Sequence, residues 1–162
     1  MFRRTIMLYE RVFSGLQRQQ KAMELLQSLL IEEFELLAVR DTEAVAHLEF
    51  SIHELLRQIN SEKMQVIRLL EGQKARDYAT TLPEKARESV LDLLRMLDGL
   101  EQDCARQATY NAELSLSLLD QSRALLHTLH ERLAPRTGST YGRHGAMRNI
   151  RRPEAALLAG RL

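Results

Sequence analysis

The chain has no tryptophan, few aromatic residues of any kind, and a single cysteine. A sheet-rich protein would need more Val, Ile, Tyr and Thr, with turn signals every ten residues or so, and neither pattern is present. One cysteine, Cys104, excludes an internal disulfide and gives no sign of an oxidising compartment. Also missing is any apolar run approaching the roughly 18 residues that a membrane-spanning helix requires. Glu10 and Arg11 interrupt the N-terminus before a signal-peptide core can form. These absences predict a soluble, cytoplasmic protein without a transmembrane segment. Chain breakers are scarce too: residues 1–133 hold one proline, Pro83, and three glycines, Gly15, Gly72 and Gly99.

What is abundant is Leu, Ala, Glu, Arg and Gln, the strong helix formers. The character changes at residue 134. Residues 134–162 contain the other two prolines, the other four glycines, six arginines and one acid. The net charge of +1 therefore conceals two opposed segments, −4 over residues 1–133 and +5 over the remainder. A helical domain over 1–134 and a flexible arginine- and glycine-containing tail over 135–162 are expected, with a short amphipathic helix at 153–162. This layout suits a binding protein better than an enzyme.

Heptads organise the first part. Phe2, Tyr9, Leu16, Met23, Leu30 and Leu37 lie seven apart, with Ile6, Phe13, Gln20, Gln27 and Phe34 read as the second seam. They predict an amphipathic helix over roughly 2–38. Asp41 is a natural N-cap for the next helix. That helix has Val45, Ile52, Ile59 and Val66 at one position and Leu48, Leu55, Glu62 and Leu69 at the other, the coiled-coil choice broken only by Glu62. It stops near Gly72, and residues 74–81 read as a polar connection. Thr81-Leu82-Pro83-Glu84 restarts the helix, with Thr81 as cap, Glu84 as capping-box partner and Pro83 in the first turn. The third helix then runs about 50 residues, roughly 75 Å. Its seam is Val90, Leu97, Cys104, Asn111, Leu118 and Leu125, with Gly99 a weak point and not a stop. Short connections pack three such helices into an all-α antiparallel bundle or coiled coil.

Chemistry-bearing motifs are lacking. His127 and His130 stand i, i+3 beside Glu131, which matches neither the zincin motif nor its inverse, and no Glu lies three before a histidine as a di-metal bundle would require. No metal and no cofactor is expected. Acidic residues such as Glu32, Glu33, Asp98 and Glu101 alternate with bases at solvated helical spacings. Gly142 and Gly145 lack the strand and the Lys-Ser/Thr of a phosphate loop. The polar seam residues Gln20, Gln27, Glu62, Gln107 and Asn111 either fix register or leave a groove able to accept another helix. Arg148, Arg151 and Arg152 form a basic cluster in the tail, without the aromatic interleaving or motifs of a nucleic-acid binder.

The order of elements carries a resemblance. A long helix, the Arg40-Asp41 turn, a second helix and a connection lead to a long third helix containing Asn111-Ala112-Glu113-Leu114-Ser115-Leu116. A leucine-rich end (Leu118, Leu119, Leu125, Leu126, Leu129) and then Thr140-Tyr141-Gly142-x-x-Gly145 follow. The chain resembles the FlgN family of flagellar type III export chaperones over essentially its whole length. The resemblance implies a cytoplasmic chaperone of the hook-associated proteins FlgK and FlgL. It would bind their C-terminal amphipathic helices, prevent premature association, and deliver them to the export gate, including FlhA. By position, Asn111, Leu114, Leu118, Leu125 and Leu129 would contact the guest, and Tyr141, Gly142 and Gly145 would dock on the gate. The pair Arg143-His144 and the basic stretch after Arg148 depart from the family pattern. The alternative reading, supported by the heptads, is a self-associating coiled-coil scaffold whose partner is a second copy.

Overall fold

The computed structural model describes residues 2–133, with side chains from residue 6 onward. The expected tail and its helix at 153–162 lie outside the described residues. The chain runs as α1 (Phe2–Val39), α2 (Thr42–Leu69), a short α3 (Ala75–Thr80) and α4 (Glu84–Leu133), with no strand among the described residues. The all-α bundle is thus as expected, with three long helices where the heptads place them. α3 is a correction: residues 74–81 are not merely a polar connection, because Tyr78 and Ala79 are buried.

Both ends of α2 are set by local chemistry. Asp41 accepts a hydrogen bond from the Ala44 amide at 3.0 Å, the expected N-cap. Before it, α1 stops because Arg40 turns left-handed (φ 61°), letting the Arg40 and Asp41 amides reach the Leu37 and Leu36 carbonyls at 3.0 and 3.1 Å. α2 ends the same way: Glu71 is left-handed (φ 51°), and the Glu71 and Gly72 amides donate to Arg68 and Ile67 at 3.1 and 3.0 Å. Both are Schellman stops with a non-glycine residue in the strained position. Thr81 does not cap α4. Its Oγ1 donates to the Tyr78 carbonyl at 2.7 Å, ending α3 instead, and the Pro83 carbonyl accepts the first bond of α4 from the Arg87 amide.

Among the described residues, those up to Leu119 form one compact unit, and the remainder of α4 belongs to a second. In the first unit α1 is the central helix. Its buried residues are Val12, Gly15, Leu16, Gln19, Ala22, Met23, Leu26 and Leu30. The seam through Leu16, Met23 and Leu30 is the expected one. The companion seam is Val12, Gln19 and Leu26, one residue before the predicted Phe13, Gln20 and Gln27, which are only half-buried. α2 runs antiparallel to α1 and approaches it closely. A Cβ on Gly15 would fall 2.8 Å from Val66 Cγ2, so only glycine admits this approach. One turn on, Arg18 Nε donates to Glu62 Oε1 at 3.0 Å, with Oε2 at 3.0 Å from the second nitrogen though off the hydrogen-bond line. The seam-breaking acid is therefore paired, and the carboxylate in turn holds the Arg18 guanidinium above its ordinary pKa.

α4 runs parallel to α1 at a constant offset. Cys104 Sγ lies 3.7 Å from the Met23 carbonyl and Asn111 Nδ2 lies 2.7 Å from the Leu30 carbonyl, both separated by 81 residues. One heptad thus tracks the other, with Leu97 level with Leu16 and Leu118 with Leu37. Two apolar clusters result. The first gathers Val12, Leu16, Val66, Leu70, Tyr78, Ala79, Leu82, Val90 and Leu93 from every described element. The second holds Ala22, Met23, Leu26, Leu30, Ile52 and Leu55, to which α4 adds only Cys104. Burial, and next to it the Asp103 carboxylate, pushes the Cys104 thiol up, as fits a packing residue.

Candidate functional site

Beside the second cluster the bundle is open. α1 and α2 are the pair of long helices in extensive close contact, and α4 leans on α1 through Cys104 and Asn111. Between α2 and α4 lies a trough of about 310 Å³. Its floor is Gln19, Met23, Leu26 and Leu30 of α1, and its walls are Ile52, Leu56, Ile59 and Lys63 of α2 against Leu97, Glu101, Cys104, Ala105 and Ala108 of α4. Each wall spans three helical turns, roughly 16 Å. The heptads supply Ile52, Ile59, Leu97 and Cys104 of these walls; the other wall residues and the gap between the helices are not read from spacing.

Just past the trough, Asn111 closes the α1–α4 contact. It is 3% exposed, and its Nδ2 donates to the Leu30 carbonyl and, at 2.5 Å, to Glu33 Oε2, while its Oδ1 accepts from Gln107 Nε2 at 3.0 Å. Every polar group of this amide is engaged. A buried, fully satisfied polar residue at one seam position specifies register, because a slip would leave it unpaired. Asn111 thus faces inward and holds α4 against α1, and Gln107, one turn before it on the same helix, supports its amide. The remaining predicted guest contacts in this unit, Leu114 and Leu118, are half-buried, whereas Leu116 and Leu119 are 62% and 45% exposed.

The described part of the second unit is the end of α4, Asp120–Leu133. Here the predicted contacts Leu125 and Leu129 are exposed, together with Leu126 and Leu133. The spacing i, i+1, i+4, i+8 puts the four on one broad helical face. The polar side chains interact among themselves: Arg123 lies 3.9 Å from Asp120, and His127 Nδ1 lies 3.7 Å from Glu131 Oε2. No group of three metal-ligating side chains occurs among the described residues, and none of the described helices is long and apolar enough to cross a membrane. Four exposed leucines on one helical face make a contiguous apolar patch of a kind that soluble proteins seldom leave uncovered. Tyr141, Gly142 and Gly145 lie outside the described residues.

No curated protein and no solved structure matches the chain. The FlgN protein family matches it over residues 7–149, a span that takes in nearly all of α1, the whole of α2, α3 and α4, and the Tyr141–Gly145 segment. The chain belongs to the FlgN family, a family of flagellar export chaperones and not of enzymes.

Proposed function

We propose that this chaperone acts in the cytoplasm on FlgK and FlgL, covering their C-terminal amphipathic helices until the export gate takes them. The observation that carries this reading is the exposed leucine face of α4. Export substrates must remain unassembled inside the cell, and their terminal helices would self-associate through the same apolar stripes. A chaperone that presents Leu125, Leu126, Leu129 and Leu133 on a continuous helix offers an equivalent stripe. Each leucine fully buried by a guest contributes roughly 1.5–3 kcal/mol before ordering costs. In the first unit, Leu114 and Leu118 are taken as further guest contacts, near Asn111, which anchors α4 to α1. Release needs no nucleotide, because competition at the gate is enough.

In the same reading, residues 1–134 hold the guest and 135–162 deliver it, with Tyr141, Gly142 and Gly145 docking on FlhA. The test is a pair of variants. Leu125→Glu with Leu129→Glu weakens binding of the FlgK and FlgL C-terminal peptides at least about tenfold, roughly 1.4 kcal/mol, with helical content unchanged by circular dichroism. Tyr141→Ala leaves peptide binding alone and weakens FlhA binding. Unchanged peptide affinity in a folded leucine double variant sinks the proposed contact face. A concentration-dependent dimer that ignores both peptides favours the self-associating scaffold.

A further inference from the structure

We propose that the trough between α2 and α4 is a second docking site, which takes an amphipathic helix from a partner protein. The guest it fits has acidic residues along one flank of its apolar stripe and basic residues along the other. The site is distinct from the leucine face of α4, and three observations within the first unit carry it.

The first is shape and lining. Three turns of α2 and three of α4 face each other over an apolar floor, which suits a helix of similar length laid between them and completing a four-helix arrangement. Ala105 and Ala108 keep the α4 wall low, so a guest backbone can come close.

The second is an amide left without a partner. Gln19 lines the floor, is only 8% exposed, and its Nε2 has no hydrogen-bond partner among the described residues. The nitrogen is itself shut off from solvent, so a guest relieves it only when the Gln19 side chain turns toward the trough and its amide donates to a guest hydroxyl, carbonyl or carboxylate.

The third is charge. Lys63 on the α2 wall and Glu101 on the α4 wall both stand level with Gln19. Arg18 pairs with the neighbouring Glu62, and the constant α1–α4 offset puts Glu101 beside Gln20. These opposite charges do not reach one another, and neither has an ion-pair partner among the described residues. Their neighbours do: Glu54 pairs with Arg57, Asp98 with Arg76, and Asp103 with Arg106. The trough thus keeps a cation on one lip and an anion on the other at its polar end, while Leu30, Ile52 and Ala108 make the far end apolar. A helix with an acid on one flank and a base on the other satisfies both lips at once.

Three synthetic helical peptides test this against the full chain by calorimetric titration. They share one leucine stripe over about 18 residues, long enough to hold helix once docked, and differ in their flanks: Glu and Lys, Glu on both, or Lys on both. The mixed peptide binds tightest, by roughly twofold to fivefold over each uniform one, the effect of one exposed ion pair. Lys63→Glu moves the preference to the all-Lys peptide and Glu101→Lys moves it to the all-Glu peptide. Ala108→Trp fills the trough and weakens all three at least tenfold with helical content retained, and Ala105→Trp repeats the test should that variant not fold. Leu125→Glu leaves the order of preference among the three unchanged. Equal binding of the three peptides that ignores both charge reversals overturns the proposal. So does loss on Leu125→Glu but not on the tryptophan variants, absence of any binding, or a dimer that Ala108→Trp dissolves, which would make a second copy the occupant. FlgK and FlgL take no part in this experiment, so its failure is separate from failure of the export reading.

Discussion

The two apolar clusters of the first unit are built on the same helices and end differently. At the first, α3 and Leu82 come in beside α1, α2 and α4, and Val12, Ala79 and Val90 are wholly excluded from solvent. At the second nothing takes the place of α3. α4 contributes Cys104 alone to the buried set, and the space between α2 and α4 remains a trough. Six residues of helix decide whether a three-helix bundle is closed. Along the same pair of seams, one region is sealed and another is left apolar and uncovered.

Substitutions can break or sharpen that contrast. Leu16→Ala, in the closed cluster, is expected to cost about 2–5 kcal/mol, because the packed neighbours cannot collapse into the void. Leu56→Ala, on the trough wall and 45% exposed, is expected to cost less than about 1 kcal/mol. Urea unfolding of both variants checks the pair, and similar losses would erase the distinction. Gly15→Ala is next. Its methyl group meets the stiff, buried Val66 at 2.8 Å, and overpacking of about 1–3 kcal/mol exceeds the helix-propensity gain of roughly 1 kcal/mol. Net destabilisation is expected, and Val66→Ala in the same chain should recover part of it.

Tyr78→Phe tests the closed end in the opposite direction. The Tyr78 hydroxyl is buried with no partner among the described residues, so its removal is expected to stabilise by about 1 kcal/mol. Burial, and secondarily the nearby Tyr9, pushes the Tyr78 phenol up. Since the folded chain holds this proton more tightly than the unfolded one, stability is undiminished below the ordinary phenol range and falls as pH rises toward and through the raised value of the folded chain. The Phe variant should therefore show a flatter alkaline limb in thermal melts recorded across that range. The smallest effect expected is from Glu71→Gly. Glycine removes the left-handed strain at the α2 stop, for a gain of about 0.5 kcal/mol after its greater unfolded-state freedom.

Much of this architecture is legible in the chain. Phe2 through Leu37, Val45 through Val66 and Val90 through Leu118 recur every seven residues, and that period locates three helices and their inner faces. Asp41 announces its cap by residue type and position. The companion seam of α1 lies one residue before the position the spacing predicts, because a heptad gives the stripe but not the side on which each neighbour sits. Tyr9 and Phe13, stacked with ring centres 5.6 Å apart, are prominent in the sequence but flank the core instead of filling it. α3 is too short to show a period, and its two buried residues sit within a polar stretch. The trough depends on the distance between two helices, which no spacing encodes. The leucines of α4 are conspicuous in the sequence, but their exposure required the fold.

The most direct test of the export reading is calorimetric titration of the intact chain with the C-terminal peptides of FlgK and FlgL. Saturable one-to-one binding with a negative heat-capacity change is expected, the signature of apolar surface buried against a helix. No heat and no co-elution with either peptide, from a chain that circular dichroism shows to be folded, would contradict it.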